Sequence, residues 1–224
     1  MNRKKIIIGS RASKLALVYA ERVKKEITQF YSNKIEIKKI LTSGDENQKD
    51  RLSDIGGKGL FSKKIEIELL ENKIDLAVHA LKDMPSIETE GLTTNCFLKR
   101  NFPNEILISR NNVKFNELTS NSVVGTCSYR REYQLKQKRK DLIFKLVRGN
   151  VDTRIKKLNE GLYDAIILSK AGVDSLNLSN YITEEFSTED IIPSVGQGVI
   201  AVQCRSNDIE MIEFLKKINH EETF

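Results

Sequence analysis

Short aliphatic runs that break off into polar turns, each followed by a helical pattern, constrain this chain more than any other feature. The run Ile74-Asp75-Leu76-Ala77-Val78-His79-Ala80 is too short for a stable helix and too apolar for a surface strand, so it predicts a strand buried on both faces. Leu81-Lys82-Asp83-Met84-Pro85 follows at once. Pro85 cannot donate to a sheet and keeps Met84 out of the helical region, which puts Lys82 and Asp83 at the carboxyl end of the strand. Open α/β sheets bind ligands at that edge. Asp83 reads there as an acid/base or cation-stabilising group with Lys82 holding a substrate anion, or as half of an ordinary surface ion pair.

The same alternation fills the chain. Residues 4–9 predict a strand, and Ser13 caps a helix whose apolar positions Leu15, Val18, Tyr19, Val23, Ile27 and Phe30 recur at helical spacing. A strand over 35–41 and a polar stretch over 43–57, long enough to form a flap, come next. Gly56-Gly57-Lys58-Gly59 then opens a helix over 60–71, and 92–98 reads as a further strand. Lys99-Arg100-Asn101-Phe102-Pro103-Asn104 looks like a crossing into a second lobe, where strands over 105–109, 123–125, 143–147 and 164–169 alternate with helices from Ser128 and over 151–160. Pro193-Ser194-Val195-Gly196-Gln197-Gly198 reads as the return crossing, before a strand over 199–203 and a helix over 208–218. The expected architecture is therefore α/β. Lobe 1 takes 1–98 plus 199–224, lobe 2 takes 104–192, hinges run over 99–103 and 193–198, and a cleft lies between the lobes.

Charge and cysteine content narrow the function classes. Hydrophobic residues make up 39% and charged residues 30%, and no apolar run approaches the roughly 18 residues of a membrane span. The basic start precedes only Ile6-Ile7-Ile8, too short for a signal-peptide core, so the expected compartment is the cytoplasm. Cys96, Cys127 and Cys204 are odd in number and without a C-x-x-C pattern, against a disulfide framework or zinc knuckle, and two histidines far apart make a metal site unexpected. Of the net charge of +6, residues 126–157 supply eleven basic groups against three acids, an excess of eight that leaves the remainder at 6 − 8 = −2. Such a run binds polyanions or is simply a solvated face. Without tryptophan or a recognisable reading motif, nucleic acid is not the expected partner.

Two turns repeat one device. Gly125-Thr126-Cys127-Ser128-Tyr129-Arg130-Arg131 and Arg148-Gly149-Asn150-Val151-Asp152-Thr153-Arg154 each place hydroxyls, backbone N–H groups or guanidinium groups where a strand gives way to a helix. Arginine matches planar carboxylates, so the pair suggests a ligand with several of them, with phosphate also compatible. Cys127 could act as a nucleophile activated by its helix N-terminus. His79 reads as a buried strand residue, and Gln197 as either hinge or ligand contact.

Taken in order, Gly9-Ser10-Arg11-Ala12-Ser13-Lys14-Leu15-Ala16-Leu17, Gly56-Gly57-Lys58-Gly59-Leu60-Phe61, Val78-His79-Ala80-Leu81-Lys82-Asp83-Met84-Pro85, the two anion turns, Tyr163-Asp164-Ala165-Ile166-Ile167-Leu168, Pro193-Ser194-Val195-Gly196-Gln197-Gly198 and Asn219-His220-Glu221-Glu222-Thr223 resemble the hydroxymethylbilane synthase (porphobilinogen deaminase) family. The resemblance implies two lobes like those of type II periplasmic binding proteins. It also implies a transferase of porphyrin and haem biosynthesis that condenses four porphobilinogen molecules into linear hydroxymethylbilane, releasing ammonia. Such enzymes grow the chain on a covalent dipyrromethane primer. By motif position, Asp83 assists loss of the amino group and stabilises the resulting cation, and Arg11, Ser13, Lys58, Lys82, Thr126, Ser128, Arg130, Arg131, Arg148 and Arg154 hold primer and substrate carboxylates. Gln197 lies near the hinge.

The chain departs from that pattern in places. Ala80 and Cys127 stand where serine is common, and Asp174-Ser175 where a basic residue is usual. The family continues into a third domain whose Gly-Gly-Cys loop carries the primer, a context that none of the three cysteines shares. The resulting expectation is a monomer that folds but does not turn over alone, with a separate third domain as a possible partner. The alternative is a non-catalytic two-lobed binding protein for a polycarboxylate or another small anion.

Overall fold

A computed structural model describes residues 3–42, 59 and 61–223. The expected flap over 43–57 and the Lys58 turn lie outside the described residues. Two units divide the rest, one built from 3–42, 59, 61–101 and 198–223, the other from Phe102–Gln197.

The first unit carries a mixed sheet of β1 (Lys5–Arg11), β2 (Lys34–Ile40), β3 (Leu76–Ala80), β4 (Leu92–Phe97) and β10 (Ile200–Arg205), in the order β2-β1-β3-β10-β4. β1 runs parallel to β2 and β3, and β10 antiparallel to β3 and β4. Period-two alternation explains how both faces are filled. Ile6, Ile8, Leu76 and Val78 meet Tyr19, Ala20, Val23 and Ile27 of α1 (Lys14–Thr28), together with Met211 and Leu215 of α6 (Ile209–Leu215). Ile7 and Ala77 face Ile65 and Leu69 of α2 (Lys63–Leu70). Ser13 starts α1 by accepting a hydrogen bond from the Ala16 N–H, which satisfies one of the helix's orphan donors. The Asn219–Thr223 segment is a lock: Asn219 accepts the Phe97 N–H and the His220 N–H reaches the Phe97 carbonyl.

In the second unit β5 (Glu105–Ser109), β6 (Val123–Gly125), β7 (Ile143–Lys145), β8 (Ala165–Ser169) and β9 (Glu184–Glu185) form a sheet in the order β7-β6-β8-β5-β9. β6 is parallel to both β7 and β8, while β5 is antiparallel to β8 and β9. Leu107, Val124 and Ile167 point to one face, with Leu135 of α3 (Tyr129–Lys138). Ile106, Ile108, Ile166 and Leu168 point to the other, against Ile155 and Leu158 of α4 (Val151–Asn159) and Val173 of α5 (Lys170–Ser175). Each fully buried aliphatic side chain is worth about 1.5–3 kcal/mol relative to exposure, so the alternation fixes the register of both sheets.

Several sequence-based bounds need correction. The strand expected over 143–147 ends at Lys145, since the Leu146 carbonyl accepts the Tyr163 hydroxyl instead of a ladder N–H. β10 runs two residues past its expected end, continuing to Arg205 beside β4. The helix expected over 60–71 is described from Lys63, and α5 and β9 were not expected at all.

Candidate anion and catalytic site

Parallel neighbours end at the same sheet edge, and that rule gathers the candidate residues within each unit. In the first, β1 finishes at Arg11 and β3 at Ala80, after which Leu81–Asp83 form a 3-10 turn. The Leu81 N–H still bonds the Val199 carbonyl at 3.0 Å, while Met84 closes the turn onto Leu81 and Pro85 follows. Lys82 and Asp83 are thereby held half-buried just past the sheet. Arg11 stacks its guanidinium carbon 3.7 Å from the Phe61 ring centroid, a contact that limits its rotamers. Ser13 caps the helix alongside.

His79 sits two residues before this turn, buried, with Nε2 3.1 Å from Gln203 Oε1. Gln203 Nε2 donates to Glu66 at 3.3 Å and Thr89 donates to the same carboxylate at 3.0 Å. This arrangement assigns the proton to Nε2. Burial pushes the imidazole down to about 4, the Gln203 hydrogen bond opposing and the Arg11 charge assisting, so the ring is neutral. It pins β3 to β10 and α2.

In the second unit β6, β7 and β8 end at one edge, and the antiparallel β5 begins there. The buried Thr126 donates its N–H to the Lys145 carbonyl, and its hydroxyl accepts the Ser128 N–H at 3.2 Å. Ser128 caps α3 through the Arg131 N–H. A side chain at position 125 would meet the Tyr163 ring at 2.8 Å, so glycine is required for this turn to approach its neighbour. Arg148 follows β7 and is buried, and Gly149 has φ +111, a conformation closed to other residues without strain. Arg154 donates Nε to the Gly149 carbonyl at 2.8 Å.

The half-buried Cys127 reports the electrostatics of these two turns. Burial alone would raise its thiol, yet the charges of Arg154, Arg131 and Arg148, with a hydrogen bond from Arg154, hold it below the ordinary thiol range. The edge is therefore positive on balance. Cys96 and Cys204 differ: both are buried, and desolvation drives them up to about 12 and about 11.

Arg130 and Arg131 share one buried acid. Glu105, with no exposed surface at the start of β5, takes Arg131 Nη2 at 2.6 Å on one oxygen and Arg130 on the other. Arg131 also donates to the Ile167 carbonyl at 3.1 Å, and Arg130 to that of Ile192. Sequence reading passed over Glu105, although an acid opening an otherwise aliphatic strand is a signal that something must pair with it. Gln197, buried, donates to the Pro103 carbonyl and so ties the two ends of its unit together. Asp174, at the position of an expected basic residue, pairs with Lys170 at 3.2 Å and accepts from Ser179. Three cations of the basic run are likewise paired locally, Lys136 with Glu132, Lys138 with Asp190 and Arg139 with Asp141. Among the described residues no group of histidine, cysteine and acidic side chains could hold a metal ion, and no helix is long and apolar enough to cross a membrane.

Residues 6–213 match the sequence model of the family described as "Porphobilinogen deaminase, dipyromethane cofactor binding domain". The porphobilinogen deaminase of Geobacillus sp. (strain WCH70) is 46% identical over 218 residues, covering 96% of this chain and 70% of the relative. That of Staphylococcus carnosus (strain TM300) is 43% identical over 224 residues, covering 98% and 72%. Among solved structures, the periplasmic VFT2 domain of Bordetella pertussis BvgS superposes with a TM-score of 0.54 at 13% identity, over 96% of this chain and 85% of that one. A sulfate-bound OxyR2 mutant regulatory domain from Vibrio vulnificus gives 0.55 at 13% identity, over 100% and 99%. At such identities the likeness shows the fold alone, the paired α/β units of type II periplasmic binding proteins.

Proposed function

The chain belongs to the porphobilinogen deaminase family, and from that premise we propose which of its residues carry out the family's transferase reaction. In that reaction, hydroxymethylbilane synthesis, four porphobilinogen molecules condense head to tail with loss of ammonia. The observation that supports the assignment best is the place of Asp83, a carboxylate fixed just past the carboxyl end of β3 by a 3-10 turn and Pro85. When the amino group leaves as ammonia, the remaining pyrrole is a cation, and a fixed carboxylate offsets that charge without forming a bond. Lys82 and Arg11 beside it, with Ser13, take substrate acetate and propionate groups. Lys58 is assigned the same task from its motif alone.

The residues of the second unit fit a dipyrromethane group, whose acetate and propionate side chains need several cations in one place. The thiol of Cys127 already registers such a field, positive enough to outweigh its own burial. Arg148 and Arg154, with the hydroxyls and N–H groups of the Thr126–Ser128 turn, would hold the carboxylates, and Arg131 contributes what Glu105 leaves of its charge. When bound, the group supplies the primer from which the pyrrole chain grows. Arginine suits the task because its planar fork meets a carboxylate through two N–H groups and stays charged at every relevant pH.

The finer setting follows the same chemistry. We place the protein in the cytoplasm as a monomer acting on small pyrroles and not on nucleic acid. Its cysteines are all free thiols, and the outer lysines of the basic run are paired with acids instead of being presented as a stripe. The direct test is ammonia release from porphobilinogen by this chain supplied with a separate primer-carrying third domain, followed together with formation of the linear tetrapyrrole. Porphobilinogen consumed without ammonia, or no consumption by the two-part protein whose third domain shows the primer mass, would remove the assignment.

A further inference from the structure

We propose that Glu105 is the positioning residue of the Thr126–Arg131 turn: its buried carboxylate holds Arg130 and Arg131 and sets how much positive charge the turn offers an incoming carboxylate. Three observations carry this. First, Glu105 has no exposed surface and spends one oxygen on each arginine, so both guanidinium groups are located by a single side chain. Second, the location is completed by main-chain acceptors from two other segments, Ile167 in β8 for Arg131 and Ile192 for Arg130. Third, β5 is antiparallel to β8 and begins where β6 and β8 end, so the carboxylate lies at the edge from which the anion turn departs.

The charge arithmetic gives the arrangement its consequence. Two guanidinium groups and one carboxylate leave one net positive charge where the motif alone suggests two. A turn with two uncompensated cations would bind a growing polycarboxylate chain more tightly at every stage, including stages at which the chain has to move on. Burial works against ionisation of Glu105, but Arg131 and Arg130 overcome this and keep the carboxyl below its ordinary range, so the compensating charge is present throughout the neutral range. For the catalytic reaction this rests on the reading that the turn receives pyrrole carboxylates; for the charge of the turn it does not.

Cys127 supplies a readout inside the turn. Its thiol faces Arg154, Arg131 and Arg148, of which Arg131 is the one shared with Glu105, whereas Cys96 and Cys204 are buried and unreactive. The rate of alkylation of the intact chain by iodoacetate against pH, with neutral iodoacetamide as control, measures the thiol's ionisation and the local field. Glu105→Gln keeps the shape and removes the charge, so the profile moves down by about half a pH unit or more and the preference for iodoacetate increases. Glu105→Asp keeps the charge and leaves the profile within a few tenths of a unit of the unaltered protein, at roughly that precision. A buried carboxylate with a merely structural role would lower stability in both variants and leave the profile where it was; that result overturns the proposal. Should Glu105→Gln fail to fold, Arg130→Met decides the question. Its removal takes a cation from the turn and leaves Glu105 to Arg131 alone, and both changes move the profile up. No movement in that variant is equally fatal. In turnover assays at low salt, with the primer-carrying third domain supplied, Glu105→Gln lowers the KM for porphobilinogen without raising kcat. A shifted thiol profile with an unchanged KM keeps Glu105 as the charge-setting residue and takes the turn out of substrate binding.

Discussion

Asp83 and Asn at the same position would differ by little except a charge, and that makes the substitution informative. Asp83→Asn retains the size and hydrogen-bonding shape of a half-buried turn residue, so the thermal midpoint moves by no more than about 2–4 °C. The cation formed on deamination loses its counter-charge, and kcat falls by about 10²–10³-fold, the usual effect of removing one preorganised electrostatic group. Turnover close to that of the unaltered protein would take Asp83 out of the mechanism. Among the arginines the structure separates two kinds. Arg148 is buried at the edge where the anion turns converge, while Lys138 lies on the outer surface, paired with Asp190 at 2.7 Å. Arg148→Leu therefore weakens binding of a preformed dipyrromethane at least tenfold and Lys138→Leu about twofold or less, as titration at two salt concentrations would show. Equal losses, both abolished by salt, would mean a diffuse surface field. The positions of Arg11, Asp83 and Arg148 are legible in the sequence because turn glycines, caps and strand ends fix where they stand. Glu105 is not, because its partners come from segments 25 and 26 residues downstream (130 − 105 and 131 − 105), and only the sheet order brings them to it.

At the scale of elements, β3, β10 and α2 are cross-linked by the buried chain His79, Gln203, Glu66 and Thr89. The histidine gives this link a pH signature. In the folded state its pKa is depressed to about 4, against 6.5 for the ordinary group, so the unfolded chain binds more protons between those values. The contribution to stability is fully present above about 6.5 and is lost as pH falls toward about 4, reaching at most about 3 kcal/mol. His79→Gln keeps an N–H donor for Gln203 but cannot titrate. Urea midpoints should therefore fall less steeply across that window than in the unaltered protein; identical slopes would show that His79 does not drive the acid loss. Elements defined by their own period were legible: the alternating faces of β5 and β8 and the caps Ser13 and Ser128 all stand in the sequence. α5 was not, since it follows β8 without a side-chain cap and contains Gly172, and β9 is two glutamates that become a strand only by pairing with β5.

At the scale of the whole molecule, the described parts of the two units differ in chain continuity. Among the described residues the first is assembled from separated stretches, whereas the second is the single segment Phe102–Gln197, which contains every strand of its own sheet. Its apolar side chains form clusters on both faces of that sheet, made wholly of residues from within the segment. Gln197 at one end donates to the carbonyl of Pro103 near the other, so the ends already lie together without help from the flanking chain. The buried pairing of Glu105 with Arg130 and Arg131 is also internal. A domain of this size is expected to fold alone when its core and its buried charges are self-contained. Expressed as residues 102–197, the segment should therefore unfold in one cooperative thermal transition, with near-ultraviolet dichroism from its packed Phe115 and Phe186 rings, 5.7 Å apart. Its Cys127 should keep the same preference for iodoacetate over iodoacetamide as in the full chain, because all three arginines that set its ionisation belong to this segment. A broad, non-cooperative melt, or a thiol that has returned to the ordinary range in a folded segment, would show that the positive field of the anion turn depends on the rest of the chain.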